Sequence, residues 1–218
     1  SGAVLQPTAL DELFSDWREN SECPVKVEVR KESVKFLTDK KSFSIPSFLL
    51  PPVMHNKGNF IISLGSLCRW LGKEAEKLGV EIYPGFAASD IIIENNILKG
   101  IVTGDLGVDS SGNHGQNYQP GIEIHAKYTL FGEGCRGHLG KRLIDQFNLG
   151  EESQHQTYGI GLKELWEIQP EKSEPGKVLH SIGWPLDFDT YGGAFLYNLD
   201  KNLISLGFVI GLDYKNPY

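Results

Sequence analysis

The stretch that decides the fold is HSIGWPLDFDTYGGAFLYNL, residues 180–199, which lies between YGIGLKELW at 158–166 and SLGFVIGLDYKNPY at 205–218. All three runs interleave glycines with aromatic residues, and their apolar residues alternate as they do in half-buried strands. Successive strands of this kind are typical of an antiparallel sheet. The sequence therefore predicts four β segments from residue 156 onward, in a sheet separate from the earlier part of the chain.

Two adjacent glycines, Gly192 and Gly193, follow Tyr191 at the centre of this stretch. One interpretation is a two-residue hairpin turn, which requires positive φ at one or both positions. The other is a ligand contact, because glycines leave backbone N–H groups bare while Tyr191, Phe195 and Trp184 supply flat apolar walls. A flat molecule with a carbonyl on its rim, such as a quinone, fits the second interpretation. The two are compatible, since a tight turn can present glycine amides to a ligand.

The charge balance of the chain is acidic. Its 218 residues contain 21 Lys and Arg against 28 Asp and Glu, a formal charge of −7. This balance argues against a surface that tracks phosphates, so we expect no nucleic-acid partner. No apolar run is long enough to span a bilayer, and the N-terminal SGAVLQPTAL lacks the basic flank and apolar core of a signal peptide. We expect a chain that is soluble or attached to one face of a membrane.

The cysteines and histidines indicate no metal site within this sequence. Cys23, Cys68 and Cys135 are odd in number and widely spaced, so they form neither a disulfide framework nor a CxxC motif. His55, His138 and His180 lie far apart in the sequence and lack the spacing of metal ligands. We expect these histidines to be structural or to lie at the surface, and we assign no metal ligand and no catalytic residue.

Two apolar segments near the N-terminus are predicted to have different structures. From Ala9 to Trp17, the residues Leu10, Leu13, Phe14 and Trp17 fall at helical spacing, which predicts a short amphipathic helix. Its polar face is acidic, which favours an ordinary core helix over one that binds anionic lipid. Further along, FSIPSFLLPPVMHN contains three prolines that exclude a helix or a central strand. This second segment is predicted to be an exposed or docked apolar loop.

The middle of the chain reads as a helix followed by short strands. Apolar residues at helical spacing predict a helix over Ser63–Gly79 with a glycine at its end. The pair Asn95-Asn96 predicts a hairpin turn between IIIE and ILKGIVT. Residues 108–120 are predicted to be a polar loop, and EIHAKYTLFG at 123–132 a strand. A helix with an apolar face follows.

The turn FGEGCRGHLGKRL, residues 131–143, places glycines between that strand and that helix. Such a corner suits a phosphate, because the first N–H groups of the helix and the positive end of its dipole point at it. Glu133 can accept hydrogen bonds from a ribose hydroxyl, and Arg136 can neutralise an anion. Glycines at such a junction also serve tight turning alone. Asp105 in VTGDLG has the same two interpretations, a place near the ligand or a turn residue.

A resemblance to a known family follows from these runs. FAD-dependent oxidoreductases build the second half of their flavin domain from elements in a fixed order. This sequence follows the same order: a helix, the segment GVEIYPG, a hairpin that ends in VTGDLG, a loop, and a strand that leads into GEG. TYGIGLKELW, GWPLD, TYGG and LGFVIGLDYKNPY together are highly specific, and with EIHAKYTLFGEGCRGHLGKRL the matching runs span nearly the whole chain. The sequence resembles the central part of the electron transfer flavoprotein–ubiquinone oxidoreductase family.

The resemblance implies an enzyme that accepts electrons from reduced electron transfer flavoprotein and passes them to ubiquinone through FAD and a [4Fe-4S] cluster. It implies a peripheral location on the matrix face of the mitochondrial inner membrane. The residues it implies at the ubiquinone ring are Gly192, Gly193 and Tyr191. Those it implies at FAD are Gly132, Glu133, Gly134, Arg136 and Asp105. Those it implies at the membrane surface are Leu10, Leu13, Phe14 and Trp17, together with the FLLPPVM loop.

The implied fold class is α/β (α+β), an incomplete flavin domain with an antiparallel quinone-binding domain. We expect a membrane-surface segment over 1–62, the second half of the flavin domain over 63–150, and a truncated quinone-binding domain over 151–218. The first glycine-rich dinucleotide fingerprint and the four clustered cysteines of the family are not in this sequence. We therefore expect a piece of a longer protein, inactive alone, whose cluster ligands lie elsewhere.

Two other functions fit the same residues. One is an FAD-dependent reductase or hydroxylase of the same superfamily that acts on an isoprenoid or aromatic substrate. The other is a non-catalytic, membrane-peripheral module that uses the glycine–aromatic sheet as a lipid pocket. The absence of a catalytic triad excludes none of the enzymes, because cofactors carry the electrons in such reactions.

Overall fold

A computed structural model describes residues 2–214 of the chain, and these residues form fourteen strands and three α-helices. In chain order the elements are β1 (Gly2–Leu5), α1 (Thr8–Leu13), β2 (Val27–Glu28), β3 (Lys31–Leu37), β4 (Ser42–Ile45), β5 (Phe60–Ser63), α2 (Leu64–Lys77), β6 (Ala88–Glu94), β7 (Ile97–Thr103), β8 (Leu106–Val108), β9 (His114–Gln119), β10 (Glu123–His125), α3 (His138–Phe147), β11 (Gly159–Glu167), β12 (Lys177–Gly183), β13 (Gly192–Asn198) and β14 (Leu203–Gly211). The end of the last quoted run, residues 215–218, lies outside the described residues.

The chain divides into two units that are not the three predicted segments. One unit comprises the residues up to Val80 together with those from Gln156 onward, and the other is Glu81–His155. The predicted boundaries, after residues 62 and 150, fall elsewhere. The reason is that β3, before the first predicted boundary, pairs with β12, after the second. The helix α2 also contacts β5 and stays with the first unit.

The first unit contains a six-stranded sheet in the order β11-β14-β13-β12-β3-β4. The four strands predicted after residue 156 are present and pair antiparallel, which confirms that prediction. The sheet is not separate from the earlier chain, because β3 joins β12 as a parallel neighbour and β4 then pairs with β3. Val34 and Val178 are buried where β3 and β12 meet, as expected for the middle of a sheet.

The glycine pair is not the predicted hairpin turn. Gly192 opens β13, where it pairs with Ile210 of β14, and Gly193 pairs with Val209. The connection from β12 to β13 is instead a loop over residues 184–191. Both glycines are therefore part of the sheet.

The first helix is shorter than predicted and faces the core. It spans Thr8–Leu13, and Leu10 and Trp17 are buried in a cluster with the helix α2 and neighbouring strands. Phe14 packs against the same cluster, with its ring 5.0 Å from that of Trp70. The protein covers Leu10 and Trp17 and part of Phe14, which argues against the membrane-surface assignment of these three residues. Leu13 alone is exposed.

The second unit holds a three-stranded sheet in the order β10-β7-β6 and a hairpin of β8 and β9. The predicted turn at Asn95-Asn96 is confirmed, with φ values of 50° and 61° between β6 and β7. Two predictions in this unit are wrong. The polar stretch 108–120 contains β9, which pairs with β8, and the strand predicted over 123–132 ends at His125.

Candidate functional site

A cavity of about 680 Å³ lies where β3 and β12 end, bordered by the loop 184–191. This volume is within the range of sites for small organic ligands. Its apolar walls come from three parts of the first unit, and they include Phe36, Ile182, Trp184, Phe188, Tyr191 and Gly192. Its polar rim includes Thr38, Asp39, Asp187 and Asp189. An apolar pocket with a few polar groups at its edge fits a flat, mostly apolar molecule.

Backbone hydrogen bonds hold the loop 184–191 in place at both ends. The Trp184 N–H donates to the carbonyl oxygen of Leu37 at 2.9 Å, which ties the start of the loop to β3. The Gly211 N–H donates to the carbonyl oxygen of Tyr191 at 2.7 Å, which ties its end to β14. Gly183, the last residue of β12, has φ at +89°, and a Cβ there would lie 2.5 Å from the Leu37 carbonyl oxygen. Only glycine therefore fits this position.

Flat rings form much of the cavity wall. Phe36 and Phe188 stack with ring centroids 6.1 Å apart and planes at 22°. Phe188 is 95% exposed and Tyr191 77% exposed, so their faces remain open to a ligand. Aromatic faces of this kind stack favourably on another flat ring.

The predicted quinone residues do not all line this cavity. Tyr191 and Gly192 do, and so does Trp184, whereas Gly193 and Phe195 are not among its lining residues. A Cβ at Gly193 would lie 2.3 Å from the Ser181 carbonyl oxygen, and one at Gly192 would lie 2.3 Å from that of Val209. The close approach of neighbouring strands therefore already requires both glycines.

A polar pair that the sequence did not predict lies next to this cavity. The ring nitrogen Nε2 of His180 lies 2.9 Å from the hydroxyl of Tyr197, and both side chains are partly buried. Burial lowers the pKa of His180, an effect that the negative charge of Glu32 partly offsets, and burial raises the pKa of Tyr197. The signal in the sequence is the alternation that puts His180 and Ile182 on one face of the same strand.

The glycine turn before α3 is only partly open to a flavin. Glu133, predicted to bind a ribose, instead accepts a hydrogen bond from the Gly140 N–H at 2.7 Å and contacts His138 at 3.2 Å. Its carboxylate therefore occupies the anion-binding end of α3. Gly132 and Gly134 face open space, since nothing lies within 4 Å of a Cβ at either position. The fit to a flavin rests on these two glycines and on the nearby charge of Arg136.

Asp105 has a role within the second unit. Its carboxylate accepts hydrogen bonds from the Gly121 N–H at 2.7 Å and from the Tyr118 hydroxyl at 3.2 Å. These contacts tie the start of β8 to the end of β9 and match the interpretation of Asp105 as a turn residue. They leave its predicted contact with FAD a prediction.

The described residues do not fit an iron–sulfur cluster. Cys23 is buried, while Cys68 and Cys135 are exposed. In residues 2–214 there is no group of three or more His, Cys, Asp or Glu side chains that could hold a metal ion. A [4Fe-4S] cluster needs four ligands, usually cysteines, so no cluster site is built from this part of the chain.

The family model and the sequence relatives that match this chain carry the same protein name. The family model described as ETF-QO, ubiquinone-binding, matches residues 158–218, which include the loop over the cavity. The electron transfer flavoprotein–ubiquinone oxidoreductase of Pseudomonas aeruginosa is 53% identical over this whole chain, which covers 40% of that protein. The mitochondrial protein of that name from Bos taurus is 50% identical, and the chain covers 36% of it. The chain thus spans about two fifths of the length of these relatives.

Solved structures of other proteins share the fold at low sequence identity. A geranylgeranyl bacteriochlorophyll reductase-like protein from Thermoplasma acidophilum superposes with a TM-score of 0.63 at 13% identity, over 96% of this chain and 45% of that one. A variant of the flavin-dependent brominase Bmp2 superposes with a TM-score of 0.58 at 15% identity, over 96% of this chain and 47% of that one. These likenesses confirm the predicted fold class, a mixed α and β fold of the FAD-dependent oxidoreductase type.

No helix among the described residues is both long and apolar enough to cross a membrane.

The chain is identical to its relatives at about one residue in two over its full length, and the family model matches residues 158–218. These two findings confirm the resemblance drawn from the glycine–aromatic runs. Over its whole length, the chain is similar in sequence to the electron transfer flavoprotein–ubiquinone oxidoreductases.

Proposed function

We propose that this chain supplies the quinone-ring site of an enzyme that passes electrons from reduced electron transfer flavoprotein to ubiquinone. The observation that carries the proposal is the cavity bordered by the loop 184–191. Most of its lining residues belong to the segment 158–218, which matches the ubiquinone-binding family. The chain spans about two fifths of the length of its relatives. The activity and partners that we propose for the whole enzyme are therefore those stated in the names of these relatives.

The chemistry of the cavity supports a quinone ring as its occupant. Phe36, Phe188 and Tyr191 offer flat faces, and the ring of a quinone is flat and largely apolar. A quinone carbonyl accepts hydrogen bonds, and the Tyr191 hydroxyl is a donor on the cavity wall. Gly192 stays part of the proposed site as a lining residue, and Gly193 as its neighbour in β13.

FAD is the proposed cofactor, and it supplies the transfer of electrons when it is bound. In this chain Gly132 and Gly134 leave room for it, Arg136 offers charge to its phosphates, and Glu133 and Asp105 are proposed contacts through the oxygen lone pairs that remain to them. A [4Fe-4S] cluster belongs to the proposed enzyme only through ligands outside this sequence. The chain by itself is proposed to be inactive for that reason.

The apolar loop 47–54 is the proposed membrane contact. It contains two short 3-10 turns, Ser47–Leu49 and Pro52–Met54, on which Phe48 is 82% exposed and Val53 90% exposed. Ubiquinone is held in the membrane by its tail, so an enzyme that reduces it needs a surface that rests on one leaflet. The proposed location is the matrix face of the mitochondrial inner membrane, and relatives named as mitochondrial support the compartment.

The test uses the full-length protein and the variant Tyr191→Ala. Tyr191 is mostly exposed, so its loss leaves the fold intact while it removes one wall and one hydrogen-bond donor of the cavity. We expect the KM for a short-tailed ubiquinone to rise about tenfold, which corresponds to about 1.4 kcal/mol. Bound flavin, measured by its visible absorbance, should stay at the wild-type level.

The matched control is Tyr128→Ala, which removes a tyrosine that is also exposed but lies in the second unit. It should keep the wild-type KM. A Tyr191→Ala enzyme with an unchanged KM would reject the cavity as the quinone site. A full-length protein without flavin would reject both this function and the reductase alternative.

A further inference from the structure

One face of the six-stranded sheet carries titratable side chains close to the cavity. These side chains lie in rows, and each row is formed by residues that pair between neighbouring strands. Side chains on this face follow the strand register, so Phe36 of β3 and Ile182 of β12 form the row that lines the cavity. The next row holds Val34 and His180. The residues Glu32, Val178 and Tyr197 form the third.

His180 lies close behind the cavity wall. It is two residues before Ile182 on the same face of β12, a separation of about 7 Å along the strand. Its Nε2 atom is 2.9 Å from the Tyr197 hydroxyl, and the two rings meet edge to face with centroids 5.5 Å apart. This contact fixes the orientation of the imidazole.

The third row leads to the surface. A carboxylate oxygen of Glu32 lies 3.4 Å from Nδ1 of His55, and the other accepts a hydrogen bond from the Asn56 N–H at 2.7 Å. The His55 side chain is partly exposed, which gives this group access to protons from water. Titratable groups thus extend from solvent toward the cavity along one face of the sheet.

We propose that His180 donates a proton to the quinone during its reduction, while Tyr197 orients the imidazole and Glu32 with His55 returns protons from solvent. This inference rests on the proposed function. Reduction of a quinone to a quinol takes two electrons, which the reduced flavin supplies, and two protons. In one protonation an N–H bond of the His180 imidazolium breaks and an O–H bond forms at a quinone oxygen, through a bridging water. The neutral imidazole then regains a proton from solvent through His55 and Glu32.

The surroundings of His180 suit a donor. Burial lowers its pKa, so the imidazolium is a stronger acid than a free histidine and releases its proton more readily. The charged and titratable groups that face it are Tyr197 on β13 and Glu32 on β3, with His55 beyond Glu32. Lys163 of β11 is on the same row, two strands past Phe195. Among these, Glu32 is the group that favours the charged imidazolium.

The test compares two electron acceptors in the full-length enzyme. Ubiquinone needs protons, whereas the ferricenium ion takes one electron and no proton. For His180→Gln we expect the rate of flavin reoxidation by ubiquinone to fall roughly 100-fold, at the lower end of the range for general acid catalysis. Reoxidation by ferricenium should keep its wild-type rate. Tyr197→Phe, which keeps the ring but removes the hydroxyl, should lower only the ubiquinone rate, and by less.

The pH profile separates proton donation from a structural role. In the wild-type enzyme the ubiquinone step should slow as pH rises through the pKa of His180, because less imidazolium remains. The His180→Gln variant should lose that slope. His114→Gln and Tyr158→Phe replace the same residue types outside these rows, and both should behave as wild type.

Three outcomes would decide against the inference. It fails if His180→Gln keeps both the wild-type ubiquinone rate and the pH slope. A loss with both acceptors would indicate a structural role and would also overturn it. If the wild-type enzyme reduces ferricenium but not ubiquinone at any pH, the proposed function fails as well, and that result is distinct from the first two.

Discussion

At Gly193 there is no room for a side chain between the strands. A Cβ would lie 2.3 Å from the Ser181 carbonyl oxygen, well inside the contact distance of two such atoms. The sequence predicted that this position is special, because adjacent glycines in a strand-like run need a reason. It could not decide between a turn, a ligand contact and a ladder position, since that choice depends on the register with β12 and β14. Register is fixed by pairing between distant parts of the chain.

The variant Gly193→Ala is expected to destabilise the protein by about 1–3 kcal/mol, the usual cost of overpacking. The measurement is urea denaturation followed by circular dichroism. Gly65→Ala is the control, because a Cβ there meets only the end of Arg69 at 3.7 Å, and alanine favours the helix α2. Equal stabilities for the two variants would contradict the steric argument. A loss of quinone reduction in Gly193→Val would not by itself identify a ligand contact.

Among the elements, the helix α1 and the loop 47–54 differ in how much of their apolar surface the protein covers. Helical spacing of Leu10, Phe14 and Trp17 correctly marked an apolar face, but spacing does not tell whether protein or lipid covers it. The structure buries that face against Trp70 and its neighbours. Pro46, Pro51 and Pro52 did predict that this apolar segment forms neither an α-helix nor a central strand, because proline cannot continue either.

Replacing Phe48, Leu49 and Val53 together by Glu should weaken binding of the full-length protein to liposomes at least tenfold. Each of these exposed side chains would lose about 1.5–3 kcal/mol of burial in lipid, and the new charges add a desolvation cost. The measurement is co-sedimentation with vesicles of neutral lipid. Leu13→Glu is the control, since Leu13 is exposed on α1 and should leave binding unchanged. If Leu13→Glu releases the protein and the loop variant does not, the membrane contact lies at α1.

At the scale of the molecule, the main sheet combines strands from both ends of the sequence. The four strands after residue 156 were predictable from alternation and glycines, whereas the parallel pairing of β12 with β3 was not. A pattern of alternation is local, and it carries no information on which distant strand becomes the neighbour. The same limit applies to the cavity, whose Phe36 wall comes from β3 and whose Trp184 wall comes from the loop after β12.

A chain of residues 156–218 alone is expected to be largely unfolded. Without β3 and β4, the buried edge of β12 around Val178 would be exposed to water. The measurement is thermal unfolding by circular dichroism, with the 218-residue chain as the reference. Cooperative unfolding of the short chain at a similar temperature would show that β3 contributes little to the sheet.

The parallel pairing of β3 with β12 also sets the order of events during synthesis. The strand β3 leaves the ribosome about 140 residues before β12, which corresponds to a wait of roughly 7–28 s at ordinary translation rates. During that interval its apolar residues Val34 and Phe36 have no sheet to join on the β12 side. The cavity is therefore one of the last features of this chain to form.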